Sequence, residues 1–488
     1  MSGGRRENSG RKNLPEELRK KGVTVYLNQE ELLRIENLMC DGSFSNKCSF
    51  LINYALNEYE NKLNSSIKFI DLFAGLGGIR IGFEQAFNTL GISTECVFSS
   101  EIKKHAILSY TKYFGDYKIH GDIKEISVDD IPDFDFLLAG FPCQPFSSAG
   151  NRLGFNDTRG TLLFEIERIL KNKKPYGFLL ENVEGLINHD NGKTLETILN
   201  SLNSLGYKVN YKVLDSIEFG LAQSRKRIYI VGTKDKLISL ENFDKKYSSF
   251  RDIQEKNCET LNTDFTRKLL LNYNPCDLYG KSIKDKRGGS DNIHSWDIGL
   301  KGEVTDKQKE LLGALLKERR KKVWAAEIGI DWMDGMPLTL KQISTFFNDK
   351  SLKEMLNDLV QKKYLVLEYP KKLVGNKREY DITKEKGYNI VTGKLSFEFS
   401  KILNPDGVAP TLVATDVEKL GVIDNKGIRK LTIREGLRLF GFPEDYSLDF
   451  LKYRESLDLL GNTVCIPVIK SIASRIASVV KEKNINKD

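Results

Sequence analysis

Four clusters in this sequence carry groups that could do covalent chemistry or hold a charged ligand. In the first, Ala139-Gly-Phe-Pro-Cys-Gln-Pro-Phe-Ser-Ser-Ala-Gly, Cys143 lies between Pro142 and Pro145, directly after an apolar run. Proline stiffens the chain there, and a thiol in a rigid polar loop at a strand end is placed as a nucleophile. Cys96 and Cys465, inside apolar runs, fit an inert buried role instead. The second cluster is Glu181-Asn-Val, reached through the apolar Phe178-Leu-Leu. Desolvation there raises the carboxyl pKa and favours the protonated form that a general acid needs. The third is Gln223-Ser-Arg-Lys-Arg227, whose Arg225 and Arg227 alternate onto one strand face and could orient a carboxylate or a phosphate. In the fourth, Phe69-Ile-Asp-Leu-Phe-Ala-Gly-Leu-Gly-Gly-Ile, Gly75, Gly77 and Gly78 let the backbone approach a ligand closely. Their G-x-G-G spacing differs from the G-x-G-x-x-G of dinucleotide sites. Glu101 and Asp122 end the next two strands, where Glu101 can accept both hydroxyls of a ribose and Asp122 an adenine amino group. Two acids at successive strand ends outline a nucleoside-shaped slot, although each alone also reads as a helix N-cap.

These residues need a frame that brings strand ends together. Ile67–Phe73, Glu95–Ser99, Phe134–Ala139, Tyr176–Leu180, Lys208–Leu214 and Lys226–Val231 read as strands, with helical stretches between most of them. That alternation predicts an α/β fold with a doubly wound parallel sheet, helices on both faces and ligands beyond the carboxyl ends of the strands.

In its ordered motifs the chain resembles the bacterial DNA (cytosine-5)-methyltransferases of restriction-modification systems. The motifs are Asp71-Leu-Phe-Ala-Gly-Leu-Gly-Gly, Gly140-Phe-Pro-Cys-Gln-Pro-Phe-Ser, Glu181-Asn-Val, Gln223-Ser-Arg-Lys-Arg and Gly461-Asn-Thr-Val. The resemblance implies a Rossmann-like S-adenosylmethionine-dependent core and a catalytic set of Cys143, Glu181, Arg225 and Arg227. Cys143 would add to C6 of a flipped cytosine, Glu181 would act at N3, and Arg225 would hold Glu181 and the base with Arg227 in support. The implied cofactor contacts are Phe73, Gly75, Leu76, Gly78, Glu101, Ile102, Asp122, Ile123, Pro142, Leu162, Asn462 and Val464. Ile102 departs from the aromatic residue common in relatives. The implied DNA contacts are Gln144, Ser147, Arg159, Gln223 and, in Val408-Ala-Pro-Thr-Leu-Val-Ala, Thr411. A tRNA cytosine-5 methyltransferase is the alternative on the same scaffold.

The remaining segments set the domain plan. Residues 1–22 hold seven basic and three acidic residues and read as a flexible basic arm or an inconsequential solvated tail. Val23-Thr-Val-Tyr-Leu alternates as a strand, and two helices follow, about Gln29–Met39 and Asn46–Leu63. This order resembles the ribbon-helix-helix repressors, which implies a homodimer through 23–64, with Thr24 and Tyr26 facing bases, and leaves a transcriptional regulator as a second class of function. The bland alternative is a dimerisation cap without DNA contact. Residues 66–240 form the first core segment, 241–425 a target recognition domain and 426–485 the returning core. Within 338–385, Leu340–Phe347, Ser351–Lys362, Tyr364–Glu368 and Arg378–Ile382 read helix, helix, strand, strand. That order fits a winged helix presenting Lys353, Asn357 and Gln361 to a major groove, or an ordinary α+β insertion.

The 488 residues are enough for about three domains. A net charge of +8 permits a polyanionic partner without identifying one. Seven scattered cysteines without a C-x-x-C pair and four histidines argue against a zinc site or disulfide framework, and the expected compartment is a reducing cytoplasm. Neither a signal peptide nor a membrane span is expected. The expected partners are duplex DNA and a cognate restriction endonuclease.

Overall fold

The computed structural model describes residues 66–115, 118–141, 161–375, 377–391 and 397–485. The strand and helices read within 23–64, with Thr24 and Tyr26, lie outside them, as does the 142–160 loop. The first segment runs β1 (Ile67–Leu72), α1 (Gly78–Thr89), β2 (Thr94–Ser100), α2 (Lys104–Phe114), β3 (Ile119–His120), β4 (Phe136–Gly140), α3 (Thr161–Lys173), β5 (Gly177–Val183), α4 (Lys193–Ser204), β6 (Lys208–Asp215) and β7 (Lys226–Thr233). Its strands assemble in the order β3-β2-β1-β4-β5-β7-β6. Neighbours from β3 to β5 are parallel. β7, however, runs antiparallel to both β5 and β6, so the sheet is mixed rather than wholly parallel. The link 216–225 explains this, being shorter than the dozen or so residues that a parallel crossover needs.

Strand side chains alternate between two cores. Phe136 and Leu138 of β4 enter one, and Leu137 and Ala139 enter the other. Burial on both faces is why these strands read as nearly continuous apolar runs. The first core is closed from the far end of the chain by α12 (Ile466–Ile485), which packs along α1 through Ile469, Ile472 and Ile476. A Cβ on Gly82 of α1 would lie 2.7 Å from the Ile469 Cβ, so the glycine permits the close approach. Among the described residues, no single helix is long and apolar enough to cross a membrane.

Between these core segments lie α5 (Asp264–Asn272), β8 (Ser282–Ile283), β9 (Asn292–Ile293), α6 (Asp306–Glu318), α7 (Val323–Ile328), α8 (Leu340–Phe346), α9 (Leu352–Gln361), β10 (Leu365–Glu368), β11 (Lys371–Val374), β12 (Lys377–Tyr380), β13 (Gly387–Ile390), β14 (Lys401–Ile402), β15 (Leu420–Asp424) and β16 (Gly427–Lys430). A second sheet has the order β16-β15-β14-β8-β9, so residues 306–390 are inserted between two of its strands. This insertion has its own apolar core, including Leu311, Leu315, Ile343, Leu356 and Leu359. Two differences from the sequence reading stand out. The strand read at Arg378–Ile382 is one arm of an exposed hairpin with β11, while β10 pairs with β13. The boundary placed between 425 and 426 falls inside the β15–β16 hairpin, whose strands are hydrogen-bonded across it. Helices α10 (Ile433–Phe440) and α11 (Tyr453–Gly461) lead into α12.

Candidate active site

Sheet topology places the ends of β1, β2, β4 and β5 along one edge. At the β5 end, Glu181 is buried and pairs with Arg227 of β7, Nε to Oε1, at 3.2 Å. The two strands bring them together, with Glu181 opposite Tyr229 and Arg227 opposite Val183 in register. Burial pushes the Glu181 carboxyl above its ordinary pKa, while Arg227 and then Arg225 pull it back. Gly140, at the end of β4, lies beside Glu181, with a Cβ there at ordinary contact distance, 3.6 Å, from Glu181 Oε2. Next door, Asn182 Nδ2 donates to the Phe141 carbonyl at 3.1 Å, tying the end of β5 to the chain that leads into Cys143. The sequence reading passed over Asn182 as a positioning residue, although its place beside Glu181 was a usable signal. Pro142, Cys143, Gln144, Ser147 and Arg159 themselves lie outside the described residues.

The two arginines separate in role. Arg225 was expected to hold Glu181, but its guanidinium donates to three backbone carbonyls: Leu412 at 2.9 Å, Thr463 at 2.8 Å and Gly461 at 3.3 Å. It stitches the start of β7 to two late segments, and Arg227 makes the carboxylate contact. Gln223, expected at the DNA surface, is fully buried: its Nε2 donates to Leu439 O, and its Oε1 accepts from Leu412 N. The contacts differ from the expected ones because spacing along a strand does not reveal which carbonyls a distant segment will bring.

At the ends of β1 and β2, Glu101 Oε2 accepts from Gly75 N at 2.8 Å, and Oε1 accepts from the amides of Ile102 and Lys103 at 2.8 Å each. The carboxylate therefore arrives preoriented, with lone-pair capacity left for a ribose hydroxyl. Phe73 (φ 56°) and Gly75 (φ 54°) both adopt the left-handed region as the chain turns from β1 into α1. A non-glycine residue held at positive φ is a strain that tends to mark ligand sites. Ile102 beside them is exposed and able to cover a base. Asp122 Oδ1 accepts from Lys124 N and caps a short 3-10 turn, while Ile123 is buried beneath it. Leu162 is partly buried against the second core.

The late motif completes the cradle. A Cβ on Gly78 would meet Val464 Cγ2 at 2.8 Å and Thr463 Oγ1 at 3.3 Å, so Val464 packs directly on the glycine turn. Asn462 is exposed two residues earlier, with its Nδ2 donating to Asp458 O. Thr411 donates to the Ser224 carbonyl at 2.6 Å and lines a cleft of about 270 Å³ together with Ser282, Lys284, Lys401 and Leu412. In the insertion, Lys353, Asn357 and Gln361 are all exposed on α9. The arrangement can hold a nucleoside at the β1–β2 ends and protonate a ring nitrogen at the β5 end.

Comparison with known proteins gives an independent reading. A family model described as C-5 cytosine-specific DNA methylase matches residues 67–478. The chain is 56% identical over 417 residues to the Type II methyltransferase M.NlaIV of Neisseria lactamica, covering 84% of this chain and 98% of that one. It is 55% identical to M.NgoBV of Neisseria gonorrhoeae, with the same coverages. M.BanI of Aneurinibacillus aneurinilyticus is 43% identical, with 83% and 94% covered.

Proposed function

The chain belongs to the C-5 cytosine-specific DNA methylase family, and from that premise we propose that it methylates C5 of a cytosine flipped out of a specific site in duplex DNA, in the setting of a restriction-modification system. The observation that carries this reading is the buried Glu181–Arg227 pair, one residue from the Asn182–Phe141 bond that leads into Cys143. The Cys143 thiolate adds to C6 of the cytosine. Glu181 gives its proton, or a hydrogen bond, to N3 as negative charge develops in the ring, which leaves C5 nucleophilic. Arg227 keeps Glu181 aligned and limits how far burial raises its pKa. After methylation, loss of the C5 proton to a base expels the Cys143 thiolate and restores the aromatic ring.

S-adenosylmethionine, implied by the family, supplies the electrophilic methyl group when bound. The residues present fit it: Gly78 admits no side chain beside Val464, and Glu101 is preoriented at the ribose end. Phe73, Leu76 and Ile102 would frame the adenosine, Asp122 and Ile123 its amino edge, and Pro142, Leu162 and Asn462 the rest of the slot. Thr411, with Gln144, Ser147 and Arg159 of the 142–160 loop, would face the DNA backbone and the extruded base.

The test is incorporation of labelled methyl from S-adenosylmethionine into duplex DNA. Wild type transfers and Cys143→Ala does not; methylation retained by the variant would refute the mechanism. Three finer readings rest on the sequence. Modification protects the site from a cognate endonuclease, residues 23–64 dimerise and use Thr24 and Tyr26 to bind the gene's own promoter, and the enzyme works in the cytoplasm on chromosomal DNA. Footprinting of that promoter with the full chain tests the second reading, which absence of protection would exclude.

A further inference from the structure

The loop 284–291, between β8 and β9, is held by side chains to a degree that its surface position does not require. Asp285 is buried, its Oδ1 accepting from Ser295 N and its Oδ2 from Ser295 Oγ, each at 2.7 Å. Asn292 Nδ2 donates to the carbonyls of Lys284 and Arg287 at 2.7 and 2.9 Å. The His294 ring, stacked on Trp296 and bonded to Asp297 through Nδ1, places Nε2 3.1 Å from the same Arg287 carbonyl. Lys281 Nζ donates to Ser290 O at 2.8 Å and pairs with Asp291. The backbone of Arg287 is thus clamped by two side chains, and the loop's two acids are already engaged.

Against that scaffold, Lys284, Lys286 and Arg287 are exposed. Among the described residues none forms a salt bridge or hydrogen bond with the side-chain cation of any of the three, and Lys286 acts on Asp334 only at longer range. The loop rises from the rim of the cleft that Lys284 shares with Thr411, and Leu412 in the same wall accepts from Arg225 beside the catalytic strand end. A flexible surface loop would need none of these bonds, whereas a loop that must present one planar cation at a set position needs all of them. Guanidinium offers parallel donors that match the O6 and N7 edge of guanine in the major groove, while lysine offers only a point charge suited to phosphate.

We propose that Arg287 is a specificity-determining residue that reads a guanine edge next to the flipped cytosine, held in place by Asp285, Asn292 and His294, while Lys284 and Lys286 contact phosphate. This rests on the DNA methylation reading above. The full-length enzyme is assayed on its methylated site, mapped by bisulfite sequencing, and on duplexes that each change one base pair of it. Arg287→Ala lowers kcat/KM on the cognate duplex by roughly 10- to 100-fold. It also brings one G·C position close to equal use with its substituted forms. Lys286→Ala weakens all duplexes alike and makes binding less steeply salt-dependent. An Arg287→Ala enzyme that keeps full discrimination at every position, or that loses activity uniformly, overturns the proposal. A wild-type enzyme that methylates no duplex indicts the reading of the active site instead, so the two failures are told apart.

Discussion

The carboxyl edge of the seven-stranded sheet and the 284–291 loop of the five-stranded sheet use charge in opposite ways. At the sheet edge the charges are buried or half-buried, and each is engaged within the chain: Arg227 holds Glu181, Arg225 holds three carbonyls, and Glu101 holds three amides. In the 284–291 loop, buried polar groups serve the backbone and leave cations open to solvent. A buried charge without a partner is costly, so groups that perform fixed chemistry are tied down in advance. A cation that must find its partner on another molecule stays free, and rigidity is moved to the backbone beneath it.

The largest effect that could break this comparison is at Glu181. Glu181→Gln lowers methyl transfer by about 10²- to 10⁴-fold with a melting temperature close to wild type, measured by single-turnover transfer and thermal unfolding. In the wild-type enzyme, burial raises this carboxyl's pKa, so activity that needs its proton falls as pH rises through a value above the ordinary carboxylate range. The variant lacks that alkaline limb, and a profile unchanged by the substitution would remove Glu181 from the proton-transfer role.

Next is the division between the arginines. Arg225→Ala strands the carbonyls of Leu412, Gly461 and Thr463, each of which costs about 1–3 kcal/mol when buried unpaired. The expected loss, about 3 kcal/mol or more, is read from denaturant unfolding. Arg227→Ala should instead cost less stability, because the buried Glu181 carboxyl can take up a proton when its partner is lost, and impair turnover. Equal stability losses in the two variants would erase the distinction.

In the 284–291 loop, Asp285→Ala leaves Ser295 N and Oγ without their acceptor and costs about 1–3 kcal/mol. Cognate discrimination falls while affinity for S-adenosylmethionine holds. A variant that discriminates as well as wild type would separate the loop's rigidity from its function.

The smallest effect tests a buried acid without a catalytic role. Asp71, at the end of β1, is pushed up to about 8 by burial, against the pull of Arg80 and the hydroxyl of Tyr110. Its carboxyl is protonated in the folded chain at neutral pH, while the unfolded chain has already released that proton. Stability it contributes is therefore full below about pH 4 and declines as pH rises toward 8. Asp71→Asn should flatten that decline, as seen in unfolding midpoints taken across the interval. A slope unchanged by the substitution would place the pH dependence elsewhere.

The edge was far more legible in the sequence than residues 282–390. Asp71-Leu-Phe-Ala-Gly, Glu181-Asn-Val and Gly461-Asn-Thr-Val are local strings in which residue type, apolar approach and strand end coincide, so strand positions and Glu181 could be read directly. Helices α8 and α9 were visible through their apolar spacing, and Thr339 and Gln342 form a capping box at the start of α8. Of the β11–β12 hairpin only the β12 arm was, because β11 is exposed and lacks the alternation that burial imposes. Nor was the loop 284–291, whose order comes from Ser295, Asn292 and His294 folding back on it.

By itself, then, the sequence determined the chemistry available at the strand ends, the order of the elements and the family to which they belong, since each of these depends on neighbours within a few residues. Tertiary structure alone decided that Arg227 rather than Arg225 meets Glu181, that Gln223 is buried, and that Val464 closes the glycine turn. Those outcomes depend on contacts between segments as much as about 390 residues apart, such as Gly78 and Val464. Which carbonyl, amide or methyl group meets a given side chain is set by the packing of α12 on α1 and by the strand order, and neither is written into any local run of residues.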